Sequence, residues 1–287
     1  MKRRISLLLV VLLLIMAMPL SAFAAKADYV SLGDSIAVSP SYYDAVATYL
    51  QNSKKHYSST NLAQDGRTSE TILEDLTEAN IKDAKVITLS IGGNNLLGPI
   101  LDAIYTHCGI SPAFSREVKL AMLIGFINAN PDAWKLIQSQ LLNSAELQLA
   151  LKKGVNDFIE DWPLIMREIK RLAPKARVYV LTMYNPVIKD PNLGKLFTTL
   201  ILPINSLIRF TPLWYRNVRV VDTSLLFALK PSSISFNLAA PISPKSLDPH
   251  PTEVGHKIIV RRNKGIGTVD SFLFVWGRGQ INNHYLG

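Results

Sequence analysis

The chain has 287 residues, of which 48% are hydrophobic and 18% charged, and its formal net charge is +9 at pH 7. This length and composition suit one globular domain with a sizeable core, with or without an insertion. Cys108 is the only cysteine, which excludes an intramolecular disulfide and argues against a structural zinc site. The basic residues do not alternate with aromatic ones, so we expect no nucleic-acid partner. The charge instead suits a solvated basic surface, or peripheral contact with a membrane or an anionic cell wall.

The N-terminal residues 1–24 have the pattern of a signal peptide. Lys2, Arg3 and Arg4 precede an almost unbroken apolar run from Ile5 to Leu20, and Ala22-Phe23-Ala24 forms a cleavage signal. We expect a mature chain that starts at Ala25 and is secreted; a permanent membrane anchor is the alternative. No second run of that kind is expected downstream.

Three short apolar segments each end in a small polar loop. Asp28–Leu32 is followed by Gly33-Asp34-Ser35, the second strand in Ser58–Ala63 by Gly66, and Lys85–Ile91 by Gly92-Gly93-Asn94-Asn95. The near-continuous apolar run in Lys85–Ile91 indicates a strand that is buried on both faces, as in parallel sheets. Strands alternate with helices, and this predicts a doubly wound α/β sheet with its ligand beyond the carboxyl ends of the strands.

The rest of the chain continues this alternation around a long helical segment. Arg177–Met183 and Val218–Asp222 are the fourth and fifth predicted strands, and Thr68-Ser69 is predicted to begin a helix. Residues 96–154 are too long for one crossover and read as several helices, forming an insertion between strands 3 and 4. The apolar side chains of this segment indicate either an acyl-chain pocket or additional helical packing. Leu196–Leu207 is a further apolar helix that is expected to join it.

Four ordered segments together resemble the SGNH hydrolases, the GDSL-type lipases and acylhydrolases of exported bacterial type. They are Val30–Ile36, Asn61–Ser69, Val86–Asn95 and Asp248–His256, and the resemblance extends from about Tyr29 to Ile259. It implies a flavodoxin-like three-layer sandwich with a mostly parallel five-stranded sheet and helices on both faces. It also implies hydrolysis without a metal or organic cofactor. The predicted domain spans residues 25–260, followed by an atypical tail, 261–287, in which no amphipathic period is present.

The resemblance and the chemistry of the residues together predict the catalytic groups. Ser35 lies on a strand-to-helix turn and needs a base to accept its proton. An imidazole titrates near neutral pH, and the resemblance selects His250 over its rival His256. The family commonly places a carboxylate three residues before this histidine, but that position is Leu247 here. Asp248, two residues before, is expected to orient His250; a backbone carbonyl is the alternative.

The resemblance further implies an oxyanion hole made of the Ser35 and Gly66 backbone N–H groups and the Asn94 side-chain amide. Gly66 also fits an ordinary turn glycine with positive φ, and Ser35 an ordinary turn or cap residue. Asn95 is expected to support its loop, and Asp34 to order the turn before Ser35.

These residues predict an exported serine ester hydrolase, a lipase or esterase that acts on acyl-lipid or phospholipid esters. The apolar residues of the helical insertion are what favours lipid substrates. Deacetylation of a cell-wall or extracellular polysaccharide is the main alternative, since the same site suits it. A non-catalytic surface-binding protein on the same fold is the third, suggested by the displaced carboxylate and the unusual tail.

Overall fold

The computed structural model describes residues 27–53, 55–237, 243 and 245–263. The predicted signal peptide and residues 264–287 of the predicted tail lie outside the described residues.

Five parallel strands form one sheet in the order β2-β1-β3-β4-β5. The strands are β1 (Tyr29–Gly33), β2 (Ser59–Asn61), β3 (Val86–Ser90), β4 (Arg177–Leu181) and β5 (Val218–Val221). This order is that of the flavodoxin-like folds, in which the crevice between β1 and β3 is the usual ligand site. The predicted α/β sandwich and the position of all five strands are confirmed.

The strands are buried because helices cover both faces of the sheet. All five residues of β1 and all five of β3 are buried. Side chains alternate along a strand, so Val30 and Leu32 belong to one hydrophobic cluster and Tyr29 to another on the opposite face. The sheet is therefore the middle layer of three.

The helices of the described residues differ widely in length. They are α1 (Ser35–Val38), α2 (Pro40–Gln51), α3 (Glu78–Ile81), α4 (Gly93–His107), α5 (Arg116–Ala129), α6 (Pro131–Asn143), α7 (Ala145–Leu172), α8 (Pro191–Trp214), α9 (Thr223–Ala228) and α10 (Glu253–Asn263), with short 3-10 helices at Thr71–Asp75 and Pro231–Ser233. The helix predicted to begin at Thr68 forms as a 3-10 helix, Thr71–Asp75, and not as an α-helix. The Thr68 and Thr71 hydroxyls each accept the backbone N–H of the other residue at its start.

Helices α4, α7 and α8 pack over one face of the sheet, and α2 and α10 pack together over the other. The predicted insertion between β3 and β4 consists of α4, α5, α6 and the first part of α7. The polar loops after β1 and β3 are located at the carboxyl edge of the sheet.

The expectation that no second long apolar segment follows is wrong for helix α8. By length and composition, Leu193–Trp214 is long and apolar enough to cross a membrane. Its most apolar 18-residue stretch has a mean hydropathy of 1.3, and 33% of that stretch is buried. Its polar side chains nevertheless bond the fold. Asn205 bonds both the N–H and the carbonyl of Met183, and the Trp162 indole donates to Thr211 Oγ1 at 2.9 Å. In this fold one side of α8, which includes Ile201, Ile204 and Ile208, is buried in the core, and its other side is exposed.

Candidate active site

A tight turn after β1 presents Ser35 at the carboxyl edge of the sheet. Gly33 has φ +131°, and a Cβ at this position would lie 1.9 Å from the carbonyl oxygen of Ser90, so only glycine fits. Asp34 caps helix α1 by accepting a hydrogen bond from the Ile36 N–H at 3.2 Å. Its Oδ1 also accepts from the Ser90 hydroxyl at 3.0 Å. Asp34 orders the turn, as predicted.

The carboxyl group of Asp34 is buried directly beneath this turn, with 2% of the residue exposed. Burial raises the pKa of Asp34 to about 6, although the hydrogen bonds from the Ile36 N–H and the Ser90 hydroxyl favour the ionised form. The local charge at the turn consequently changes within an experimentally accessible pH range.

The loop before α10 brings His250 to the serine. His250 Nε2 lies 2.7 Å from Ser35 Oγ, across a sequence separation of 215 residues. The opposite ring nitrogen, Nδ1, lies 2.6 Å from Asp248 Oδ1. A carboxylate only accepts hydrogen bonds, so Nδ1 carries the proton and Nε2 is left to accept the serine hydroxyl.

The displaced carboxylate reaches the ring through a local turn. Asp248 Oδ1 accepts the backbone N–H of His250 at 3.0 Å as well as the ring Nδ1–H. In this Asx turn the Asp248 side chain lies beside His250, two residues later. The turn is not needed when the carboxylate is three residues before the histidine. Burial opposes ionisation, but these two hydrogen bonds from His250 outweigh it and hold the pKa of Asp248 below its usual value.

Tyr184 supports the same loop through a hydrogen bond, and no sequence motif predicted this role. Its hydroxyl donates to the carbonyl of Pro249, between Asp248 and His250, at 2.7 Å. The residue is buried, and its ring packs against Phe227 at a centroid distance of 4.8 Å. Burial raises the pKa of Tyr184 well above its usual value, so it stays a hydrogen-bond donor. A tyrosine three residues after a buried strand is the only sequence signal for this contact.

The rival histidine, His256, lies on α10 and not beside the serine of the turn. Its Nε2 is 3.4 Å from the hydroxyl of Ser39, and the residue is buried. Burial and the nearby His250 lower the pKa of His256. The structure thus brings His250, and not His256, within hydrogen-bond distance of Ser35.

Asn94 begins the first turn of α4 and lines the same cleft as Ser35 and His250. Its Nδ2 donates one hydrogen bond to the carbonyl of Arg67 at 2.9 Å. An amide nitrogen carries two hydrogens, so the second N–H can donate a hydrogen bond to a ligand in the cleft. Gly66, the residue before Arg67, has φ +79° in the loop after β2. The loop of Gly66 and the start of α4 are therefore bonded to each other.

Asn95 supports this arrangement, as predicted. Its Oδ1 accepts the Ser69 N–H at 3.0 Å, and its Nδ2 donates to the Ser69 hydroxyl at 2.8 Å. The Ser69 hydroxyl in turn donates to Asp161 on α7 at 2.6 Å. These buried bonds tie together the loop after β2, helix α4 and helix α7.

A cleft of about 60 Å³ contains Ser35, Asn94 and His250, and it adjoins a cavity of about 270 Å³. Leu97, Phe197 and His250 contribute to the walls of both. The larger cavity is lined mainly by aliphatic and aromatic side chains from the helical segment. The polar cleft and the apolar cavity are thus adjacent at His250.

A family model described as the GDSL-like Lipase/Acylhydrolase family matches residues 31–258. The match spans the turn of Ser35, the loop of Gly66, the start of α4 and the loop of Asp248 and His250. No curated protein matches the chain at a significant level.

Solved structures resemble this chain at low sequence identity. The lipase Lip_vut3 from a goat rumen metagenome has a TM-score of 0.53 at 17% identity, covering 83% of this chain and 96% of that chain. Phospholipase A1 from Streptomyces albidoflavus NA297 has a TM-score of 0.47 at 17% identity, covering 84% and 100%. The lipase/acylhydrolase from Enterococcus faecalis has a TM-score of 0.46 at 17% identity, covering 83% and 96%. The likeness to the goat rumen lipase concerns the fold alone.

Proposed function

Because the chain belongs to the GDSL-like lipase/acylhydrolase family, and so is a hydrolase that acts on esters, we propose that it cleaves the carboxylic esters of acyl lipids with Ser35 as nucleophile. The observation that carries the proposal is the continuous set of contacts from Asp248 through His250 to Ser35, at 2.6 and 2.7 Å. This order of carboxylate, imidazole and hydroxyl is the arrangement that activates a serine.

In the proposed reaction, Ser35 Oγ attacks the ester carbonyl carbon while His250 Nε2 takes the hydroxyl proton. Asp248 keeps the proton on Nδ1 and stabilises the imidazolium that forms. The tetrahedral intermediate collapses when Nε2 returns its proton to the leaving alcohol oxygen, which leaves an acyl-serine. Water then attacks the acyl carbon with His250 again as base. The bond from the acyl carbon to Ser35 Oγ breaks as Nε2 returns the proton to Oγ, and the free acid departs.

The negative charge that develops on the carbonyl oxygen needs hydrogen-bond donors. We propose that three groups donate these hydrogen bonds: the backbone N–H of Ser35, the backbone N–H of Gly66 and the second Nδ2 hydrogen of Asn94. Ser35 is the first residue of helix α1, where free N–H groups favour negative charge, and the bond from Asn94 to Arg67 fixes the amide beside the loop of Gly66. Loss of one such donor typically lowers turnover by about 10²–10³-fold.

The apolar cavity beside the cleft favours acyl-lipid esters over acetylated polysaccharides. It is about 270 Å³ in volume, and hydrophobic side chains line nearly all of it. An acetyl group leaves such a cavity unused, whereas an alkyl chain removes its own surface from water there.

We also propose that the protein is exported by cleavage after Ala24 and contacts membranes peripherally. The basic n-region, apolar run and small-residue site of residues 1–24 support export. An extracytoplasmic enzyme with a net positive charge would meet anionic lipid headgroups at the membrane surface. The N-terminal sequence of the secreted product tests cleavage directly, with Ala25 as the expected first residue.

The proposed mechanism predicts that Ser35→Ala abolishes hydrolysis of p-nitrophenyl esters from acetate to palmitate, since the variant lacks the attacking oxygen. The matched control is Ser139→Ala, which changes an exposed serine on α6 and should keep wild-type turnover. A fluorophosphonate probe should label wild type and Ser139→Ala but not Ser35→Ala. Wild-type turnover in Ser35→Ala would refute the mechanism. Serine-dependent turnover confined to acetate would instead favour polysaccharide deacetylation.

A further inference from the structure

Three helices extend past the carboxyl edge of the sheet and frame the apolar cavity. Gly154 fixes the level at which α7 crosses α4, because a Cβ there would lie 2.1 Å from the Asn95 carbonyl oxygen. Residues 145–153 of α7 therefore lie beyond the first turn of α4. Helix α8 is fixed by Asn205, which bonds the backbone of Met183 just after β4, so residues 191–204 extend beyond the same edge.

The extended parts of α4 and α8 present one apolar face each to the cavity. On α4 these residues recur at helical spacing: Leu97, Ile100, Leu101, Ile104 and Tyr105. On α8 the corresponding residues are Leu193, Leu196, Phe197 and Leu200. The walls are therefore regular helical surfaces that continue for two turns on either side.

Helices α5 and α6 close the cavity on the side away from the sheet. Four of the residues they contribute are buried, with 3–9% of each exposed: Leu123, Ile127, Trp134 and Leu141. Two more residues of α5 line the cavity, the half-buried Leu120 and the exposed Arg116. Leu147 and Leu151 of α7 complete the apolar lining, with 8% and 1% exposed. An occupant that enters at His250 meets these side chains after a limited distance.

The dimensions of the cavity set a limit on the occupant. Leu97 borders the catalytic cleft, and Tyr105 lies eight residues further along α4, about 12 Å at the rise of an α-helix. An apolar cavity of roughly 150 Å³ accommodates benzene, with six carbons, so a volume of about 270 Å³ corresponds in proportion to about ten carbons.

We propose that this cavity is a length-limited acyl site, which makes the enzyme selective for medium-chain esters of about ten carbons. The inference rests on the proposed function, because the cavity acts on selectivity only if Ser35 and His250 cleave the ester beside it. Shorter chains leave part of the cavity unfilled, and longer chains must displace the buried side chains of α5 and α6, which costs free energy of packing.

Leu247 gives the site an apolar wall next to the catalytic histidine. It lines the cavity together with Asp248, Pro249 and His250, and packs against the main hydrophobic cluster. In the family pattern this position is commonly the carboxylate. With the carboxylate one residue later, the acyl chain meets a leucine where it leaves His250.

Two substitutions of opposite sign test the length limit. Leu147→Ala removes three carbons from the wall, and we expect the optimal p-nitrophenyl ester to lengthen by about two to four carbons. Ile104→Phe adds three carbons two helical turns from Leu97, and we expect the optimum to shorten by a similar amount. The matched controls, Leu149→Ala and Thr106→Phe, change exposed positions on the same helices and should keep the wild-type profile.

The measurement is kcat/KM for each ester from acetate to palmitate, expressed relative to butyrate for each variant. Circular dichroism and thermal melting verify that each variant is folded, and Leu151→Ala replaces Leu147→Ala if the latter does not fold. A wild-type optimum near decanoate that moves in opposite directions in the two variants supports the proposal. A wild-type profile that rises to palmitate, or profiles that do not move, overturns it. Absence of all serine-dependent turnover in folded wild type would instead count against the proposed function.

Discussion

The buried carboxyl group of Asp34 makes the stability of the fold depend on pH. Burial raises its pKa from 3.8 to about 6, so between these values the folded chain keeps a proton that the unfolded chain has lost. The free energy of unfolding therefore falls as the pH rises through this window. Above it, the ionised group costs at most about 3 kcal/mol.

Asp34→Asn should remove this pH dependence, because an amide keeps an oxygen acceptor for the Ile36 N–H and does not titrate. Urea unfolding of variant and wild type at pH 4 and pH 7 measures the effect. The stability of the variant relative to wild type should rise between the two pH values by up to about 3 kcal/mol. A difference that is the same at both pH values would show that Asp34 titrates normally.

The residues of the candidate site were predictable to different degrees. Ser35, Asn94 and His250 each follow a recognisable strand or motif, and the structure brings all three to one cleft. Whether Asp248 reaches the ring of His250 depends on the backbone turn around Pro249, which residue spacing alone does not define. Tyr184 was not predicted, because its bond to the Pro249 carbonyl joins segments 65 residues apart.

At the scale of elements, the crossing of α4 and α7 positions both the cleft and the apolar cavity. Gly154→Ala would place a methyl group against the Asn95 backbone, which cannot move without shifting Asn94. We expect it to lower the free energy of unfolding by about 1–3 kcal/mol. Ester turnover should fall as well, because α4 carries the proposed oxyanion donor. Chemical unfolding and p-nitrophenyl butyrate hydrolysis provide the two measurements.

Gly125→Ala is the matched control within the same helical segment. An added Cβ at Gly125 meets nothing within 4 Å, and alanine favours the helical conformation by about 0.5–1 kcal/mol. This variant should be equally stable or slightly more stable than wild type, with unchanged turnover. Equal destabilisation by both substitutions would mean that the α4–α7 crossing has no special role.

The same elements explain where the sequence did not determine the structure. Strands β1 and β3 are rich in apolar residues and end at or near a glycine, so their positions follow from local pattern. Within α7, Phe158 and Trp162 are buried, but Ile159 is 39% exposed. Only the side of α7 that packs on α4 and the sheet is buried, so some of the helix's apolar residues are exposed to solvent. The cavity likewise depends on how separate helices meet, which periodicity does not specify.

For the whole molecule, charge is the property that bears on the proposed contact with membranes. The formal net charge is +9, or +6 once Lys2, Arg3 and Arg4 are removed with the proposed signal peptide, and a positive protein is attracted to anionic lipid surfaces over about a Debye length. We expect cosedimentation with vesicles that contain phosphatidylglycerol, and loss of binding as salt rises from about 0.1 M to about 1 M. Vesicles of phosphatidylcholine alone are the control. Binding that is equal on both and insensitive to salt would contradict an electrostatic contact.

The local turn that joins Asp248 to His250 makes the activity depend on one distance, that between this pair and Ser35. The carboxylate and the imidazole are two residues apart and bonded to each other twice, so they travel as one rigid body when their loop moves. The distance that such a movement changes is the one between this pair and Ser35, which is on a separate segment 215 residues away. The loop thus positions the Asp248–His250 pair beside the nucleophile as a unit, and the hydrogen bond from the Tyr184 hydroxyl to the Pro249 carbonyl holds the loop in place.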